Sequence, residues 1–169
     1  MSLESIWAAW RSEYIAGTVS RPITTDADSC LFCRLQQGSD EEMLIVERTD
    51  VTFTVMNAFP YTNGHIMVAP LRHEGLLEEL TPEEAAGLVA GLQRAVRGIK
   101  AAYRPDGLNV GANLGRAAGA GIPAHLHVHV VPRWNGDTNF MTTVAETRVL
   151  PEDLPSSWAR LRAAWPDTA

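Results

Sequence analysis

The sequence predicts an α+β fold: an antiparallel sheet of about five strands, one long helix and additional terminal helices. Three observations predict it. Short apolar runs with β-type alternation come first, a single long helical stripe follows, and two more β-like runs come after it. The order is therefore strands, helix, strands, rather than the strand–helix alternation of a parallel sheet.

Taken along the chain, Ile6, Trp7, Trp10 and Tyr14 recur at helical spacing and predict an amphipathic N-terminal helix. The polar segment SRPITTDADSC, 20–30, reads as a linker. MLIV at 43–46 and VTFTVM at 51–56 are the first strands, the second with Val51, Phe53 and Val55 alternating with Thr52 and Thr54. NAFPYTNGH, 57–65, carries Pro60 and Asn63-Gly64 and predicts a turn into the strand HIMVAP, 65–70. Thr81-Pro82-Glu83-Glu84 supplies a helix N-cap, a proline at the first helical position and a capping-box glutamate. Leu88, Leu92, Val96, Ile99 and Tyr103 then form one buried stripe, closed by Pro105 and Gly107. LNVGAN, 108–113, and HLHVHVVP, 125–132, are the last core strands, joined by the glycine-rich GRAAGAGIP, 115–123. Pro155 and Ser156 open a short helix carrying Trp158, Leu161 and Trp165. The chain thus divides into an N-terminal helix and linker (1–29), a central domain (30–144) and a C-terminal tail with its helix (145–169).

Length and composition narrow the function classes. A chain of 169 residues with 46% hydrophobic and 20% charged residues suits one globular domain with terminal extensions. A net charge of −6 and a pI near 5.3 argue against nucleic acid as a partner, though not against a small anion met by a few local donors. No apolar run approaches the roughly 18 residues of a membrane span, and the first residues lack the apolar core of a secretory signal. The two cysteines, Cys30 and Cys33, are too few and too close for a disulfide framework, and favour metal or redox chemistry in a reducing cytoplasm.

Three of the five histidines, His125, His127 and His129, alternate with Leu126, Val128 and Val130. On a strand such residues share one face, roughly 6.5–7 Å apart, with the apolar residues on the other. Such a row is a solvated polar face, a catalytic metal site, or a nucleophile with two supporting imidazoles. The segment before it has no P-loop lysine, but its glycines let backbone N–H groups approach phosphate oxygens. A glycine-rich loop entering a histidine strand suits an imidazole attacking phosphorus.

His-Leu-His-Val-His-Val-Val, 125–131, resembles the signature of the histidine triad family of nucleotide hydrolases and transferases. The similarity extends to 57–65 with NGHIMVAP and to GLNVGANLG, 107–115. IWAAWRSEYI, 6–15, and VPRWNGDTNFM, 131–141, resemble a bacterial branch that includes diadenosine tetraphosphate phosphorylases. The resemblance implies that His127 is the nucleophile, attacking the α-phosphorus of a nucleotide to form a nucleotidyl-histidine. It implies that His129 contacts the α-phosphate, and that Asn113 and the 119–123 backbone, including Gly119, Gly121 and Ile122, hold phosphate oxygens. Asn57 then reaches the ribose, and Trp134 packs near the polyphosphate or second nucleoside. In zinc-carrying members a CxxC pair is completed by two histidines, at positions filled here by His73 and His125. A structural zinc on Cys30, Cys33, His73 and His125 is therefore implied, with no organic cofactor. His65 joins the hydrogen-bond relay or is satisfied within the core.

One departure matters. Many members carry Gln or Ser four residues before the first triad histidine, where this chain has Gly121. That leaves open whether phosphate or water accepts the nucleotidyl group. The leading expectation is cleavage of diadenosine tetraphosphate by phosphate to ADP and ATP. The alternatives are a dinucleoside polyphosphate or phosphoramidate hydrolase, a purine-nucleotide-binding protein, and an unrelated enzyme with a metal on the triad itself. The family also implies a homodimer joined through the sheet and the long helix, and the cysteine pair a cytoplasmic location.

Overall fold

In the computed structural model residues 26–137 and 150–166 are described. The predicted N-terminal helix around Ile6, Trp7, Trp10 and Tyr14 lies outside them, as does the linker up to residue 25. Five strands, β1 (Ile45–Arg48), β2 (Thr52–Met56), β3 (Ile66–Pro70), β4 (Gly107–Gly111) and β5 (Val128–Arg133), form one sheet in the order β1-β2-β3-β5-β4. Every neighbouring pair is antiparallel. The helices are α1 (Leu31–Leu35), α2 (Pro82–Tyr103) and α3 (Leu154–Ala164).

Both faces of the sheet are covered, which explains why β2 and β3 are buried at every position despite the threonines of β2. A bulge in β1 between Ile45 and Glu47 turns Glu47 toward α2. There its carboxylate meets Arg94 at 2.7 Å.

Thr81 caps α2 as the sequence predicts, with the full capping box to Glu84 and Pro82 at the start. The helix ends on Arg104, held in the left-handed region at φ 48°, just before Pro105. Its contact face differs from the predicted stripe. Leu88 and Ile99 are buried, but so are Gly91, Ala95 and Gly98, whereas Leu92, Val96 and Tyr103 are only partly covered. A Cβ on Gly91 would come within 3.0 Å of Val68, and one on Gly98 within 2.6 Å of the Trp165 ring. Small residues thus let the helix lie close to the sheet on one side and to the C-terminal residues on the other.

Helix α3 is capped by Asp153, whose carboxylate accepts the Ser156 N–H at 2.8 Å. Leu161 is fully buried in the core shared with α2, and the Trp158 indole N–H donates to the Ile45 carbonyl at 2.8 Å. Among the described residues no helix is long and apolar enough to cross a membrane.

The histidine strand is shorter than predicted. Ladder pairing of β5 with β3 begins at Val68↔Val128, so His125 and His127 precede the strand and only His129 lies within it. The approach is held instead by the Leu126 N–H donating to the Glu74 carbonyl at 2.6 Å and by His125 N–H to Ile122 O. The alternation nevertheless survives: Leu126, Val128 and Val130 enter the α2-side core.

Candidate active site and metal centre

The three imidazoles lie on the sheet face opposite α2, and that face is not solvated. Phe32 of α1, one of the two residues between the cysteines, packs its ring 5.2 Å from His125 and 4.8 Å from His127. His125 is 1% and His127 7% exposed, which excludes a merely decorative polar face.

The cysteines reach the row because α1 starts beside it: Cys30 is the N-cap of α1 and Cys33 lies in its first turn. His73 follows the end of β3, and His125 leads into β5. The ligand atoms of Cys30, Cys33, His73 and His125 all lie within 4.8 Å of one another. His125 Nδ1 is 3.5 Å from Cys30 Sγ and 3.6 Å from Cys33 Sγ, and Cys33 Sγ is 3.4 Å from His73 Nδ1. Metal–sulfur bonds of about 2.3 Å and metal–nitrogen bonds of about 2.0–2.1 Å at the tetrahedral angle set S···N edges near 3.5 Å. The cluster therefore fits one tetrahedral ion.

Its protonation fits too. His125 Nε2–H donates to the Pro70 carbonyl at 2.9 Å, so Nδ1 turns its lone pair to the sulfurs. Burial pushes His125 down to about 4, against the pull of that carbonyl, and keeps it neutral. Burial, and after it the neighbouring Cys30, pushes the Cys33 thiol up to about 11. A cation is what would turn this pair into thiolate ligands.

The other two triad histidines carry their protons in opposite senses. His127 Nδ1 lies 2.8 Å from the His125 carbonyl, which only accepts, so Nδ1 holds the hydrogen and Nε2 the lone pair. The Tyr61 N–H donates to His65 Nδ1 at 3.1 Å, so His65 carries its hydrogen on Nε2. That Nε2 lies 3.0 Å from His129 Nδ1, which accepts and leaves Nε2 of His129 as a donor. The rings of His127 and His129 stand 5.1 Å apart. One offers a lone pair and its neighbour an N–H. Burial lowers both, and His129, further lowered by the adjoining His127, is pushed to about 4, so both are neutral at pH 7.

His65 is fully buried, and its hydrogen bond runs to His129 rather than to His127. Asn57 lies against it, with Nδ2 3.3–3.4 Å from the ring nitrogens and Oδ1 accepting the Phe59 N–H at 2.9 Å. Asn113 donates across the glycine-rich loop to the Gly119 carbonyl at 3.4 Å, and Gly119 sits at φ +93°, a conformation suited to glycine. Gly121 is exposed, and Ile122 packs on the α1-side core. A cleft of about 1310 Å³ brings His129, Asn113 and Trp134 together; Asn57, His127, Gly119, Gly121 and Ile122 do not line it. Trp134 packs edge-on against Tyr103 at 6.3 Å.

Sequence reasoning missed Phe32, Tyr61 and the carbonyls of Pro70 and Glu74. Phe32 and Tyr61 stand inside motifs it did single out, CLFC and NAFPYTNGH, but as spacers. Carbonyl roles have no residue-type signal at all.

A five-stranded antiparallel sheet with a buried histidine row and a Cys/His cluster beside it defines a distinct histidine-centred class of protein. Residues 39–136 match the HIT domain model. The chain is 42% identical over 168 residues to the AP-4-A phosphorylase of Mycobacterium tuberculosis, covering 96% of this chain and 85% of that protein. Its structure is similar to that of a zinc-bound histidine triad family protein from Mycobacterium smegmatis, with a TM-score of 0.67 and 32% identity over 82% of this chain and 94% of the other. A hypothetical histidine triad nucleotide-binding protein from Sulfolobus tokodaii aligns with a TM-score of 0.65 and 27% identity over 80% and 91% of the two chains. The chain belongs to the histidine triad family.

Proposed function

We propose that this protein is a nucleotidyl transferase that splits diadenosine tetraphosphate with phosphate, giving ADP and ATP. The observation that carries this reading is the opposite protonation of the two neighbouring imidazoles. His127 Nε2 attacks the α-phosphorus, the bond to the leaving ATP breaks, and an adenylyl-histidine forms. The positive charge on that ring is met by the His125 carbonyl, already bonded to Nδ1–H. His129 Nε2–H donates to a non-bridging oxygen of the same phosphorus. Phosphate then attacks, ADP leaves, and His127 regains its starting tautomer with no net proton transfer to the ring.

Asn57 takes the ribose hydroxyls. Asn113 with the loop backbone at Gly119, Gly121 and Ile122 holds phosphate oxygens. Trp134 lies along the cleft toward the second nucleoside, and His65 fixes the tautomer of His129. Cys30, Cys33, His73 and His125 would hold a structural zinc, whose charge would favour the thiolates; through these four residues the approach to β5 would be tied to α1. Gly121 offers no side chain to the leaving group; likeness to the AP-4-A phosphorylase is what supports inorganic phosphate, rather than water, as the acceptor. Edge strand β4 exposes Val110, and α2 exposes Val89, surfaces on which a homodimer is built. The free cysteines suit a reducing cytoplasm.

Incubation with diadenosine tetraphosphate, with and without phosphate, tests the reaction. ADP formed only with phosphate supports the phosphorylase. AMP formed without it identifies the hydrolase, and no turnover in either case leaves a binding protein.

A further inference from the structure

Arg72 lies outside the machinery described so far, yet its guanidinium is tied to three residues beside it. Its guanidinium grips the Glu84 carboxylate with two bonds, Nε to Oε1 at 2.7 Å and NH2 to Oε2 at 2.9 Å. It also donates to the Glu79 carbonyl at 2.9 Å and to the Glu74 carboxylate at 3.0 Å. Glu84 is itself fixed, because its Oε2 accepts the Thr81 N–H at 2.8 Å in the capping box. The head of α2 is thereby tied to residue 72, just past the end of β3.

The three residues that follow do three separate jobs at the histidine row. His73 faces Cys33 in the metal cluster. The Glu74 carbonyl takes the Leu126 N–H at 2.6 Å, between His125 and His127. Gly75 lies backbone against backbone on the approach to β5: a Cβ there would stand 2.3 Å from the Pro123 carbonyl oxygen and 3.0 Å from Ala124. His125 and His127 precede the ladder, so their register depends on this segment rather than on sheet pairing.

We propose that Arg72 is a positioning residue: by anchoring 73–75 to the capping box of α2, it sets at once the metal ligand His73 and the register of the nucleophile His127. A bidentate pair suits this task because it fixes orientation as well as distance, which the point charge of a lysine does not. The kinetic part rests on the nucleotidyl-transfer reading above; the rest does not.

The test compares Arg72→Met with Arg94→Met. Arg94 belongs to the same helix and pairs with the buried Glu47, remote from residues 73–75. Three readouts are taken on each folded variant: hydrogen exchange of the Leu126 amide, zinc affinity by chelator competition, and kcat and KM with diadenosine tetraphosphate and phosphate. In Arg72→Met we expect selective loss of Leu126 protection and zinc affinity lowered about 10–100-fold, the range for removing a partner that orients a ligand. We expect kcat lowered about 10-fold with KM within about twofold, a loss confined to the chemical step. Arg94→Met should destabilise at least as much and move none of the three. Glu84→Gln should reproduce the Arg72→Met losses, and the double variant should add nothing further. Arg72→Lys should fall between.

Unchanged Leu126 exchange and zinc affinity in Arg72→Met would overturn the proposal, as would the same losses in Arg94→Met. Failure of the unmodified protein to turn over the dinucleotide would instead overturn the functional reading, leaving the exchange and zinc results to judge Arg72.

Discussion

On the α2 side of the sheet the elements are held by side-chain burial. Val68, Leu88, Ala95, Ile99 and Leu161 form one apolar cluster, and glycines at 91 and 98 bring the helix close. The histidine side has an apolar cluster of its own around Phe32, Phe53 and Val55, but there backbone carbonyls also orient the rings. Pro70 orients His125, His125 orients His127, and Glu74 sets the register between them. Burial is non-directional and tolerates a small shift of a side chain. A hydrogen bond to a carbonyl fixes which ring nitrogen carries the proton, and that decides between a lone pair and a donor. The histidine face is therefore specified by direction as well as volume, and the α2 face chiefly by volume.

Substitutions should separate the two. The largest effect is expected from His127→Ala, which should lower turnover by at least about 10⁴-fold, as loss of a nucleophile does, while nucleotide binding and the thermal midpoint change little. Retained activity in single-turnover assays would remove His127 from the reaction. On the other face Leu161→Ala should cost about 2–5 kcal/mol in denaturant unfolding, with kcat and metal content unchanged under conditions where the variant is folded. A kcat that falls in step with stability would show that the faces are not independent. Cys33→Ser, or zinc removal by a chelator, should do something intermediate. Because the cluster ties α1 to the segments at 73 and 125, both thermal midpoint and kcat should fall, kcat by roughly 10–100-fold. Loss of midpoint alone would confine the metal to the fold.

The same contrast explains what could be read from the sequence. The sheet, α2 with its capping box and α3 follow from periodicity and cap residues, which act locally. The grouping of Cys30, Cys33, His73 and His125 was legible only through likeness to the family, since spacing alone does not carry residue 30 to residue 125. The start of β5 was placed three residues early, because alternation of His and apolar residues continues through 125–127 even though the ladder does not. Gly91 and Gly98 were passed over because a helical pattern marks large apolar residues and not the small ones that permit approach. Tyr61 acts through its N–H, Pro70 and Glu74 through their carbonyls, and no residue type announces that.

Acid should dismantle the two faces in sequence, and this is the finest test of the comparison. His129 is held neutral in the fold, pushed down to about 4 from 6.5 by burial and then by His127. Between those values the unfolded chain binds a proton that the folded one does not, so this contribution is complete above about 6.5 and is lost as pH falls toward 4. Glu84 on the helix side is pushed down to about 2 from 4.5, chiefly by its bond to Arg72 and then by the Thr81 N–H. Its contribution is complete above about 4.5 and is lost only as pH falls toward 2. Denaturant midpoints measured in steps from pH 7 to pH 2 should therefore decline in two stages. Glu84→Gln should make the lower stage shallower, leaving the part that Glu74 and Asp153, also lowered, contribute, and should spare the upper one. If the substitution flattens both, residues 72–75 carry protonation as well as position from one face to the other, and His129 titrates with the helix side.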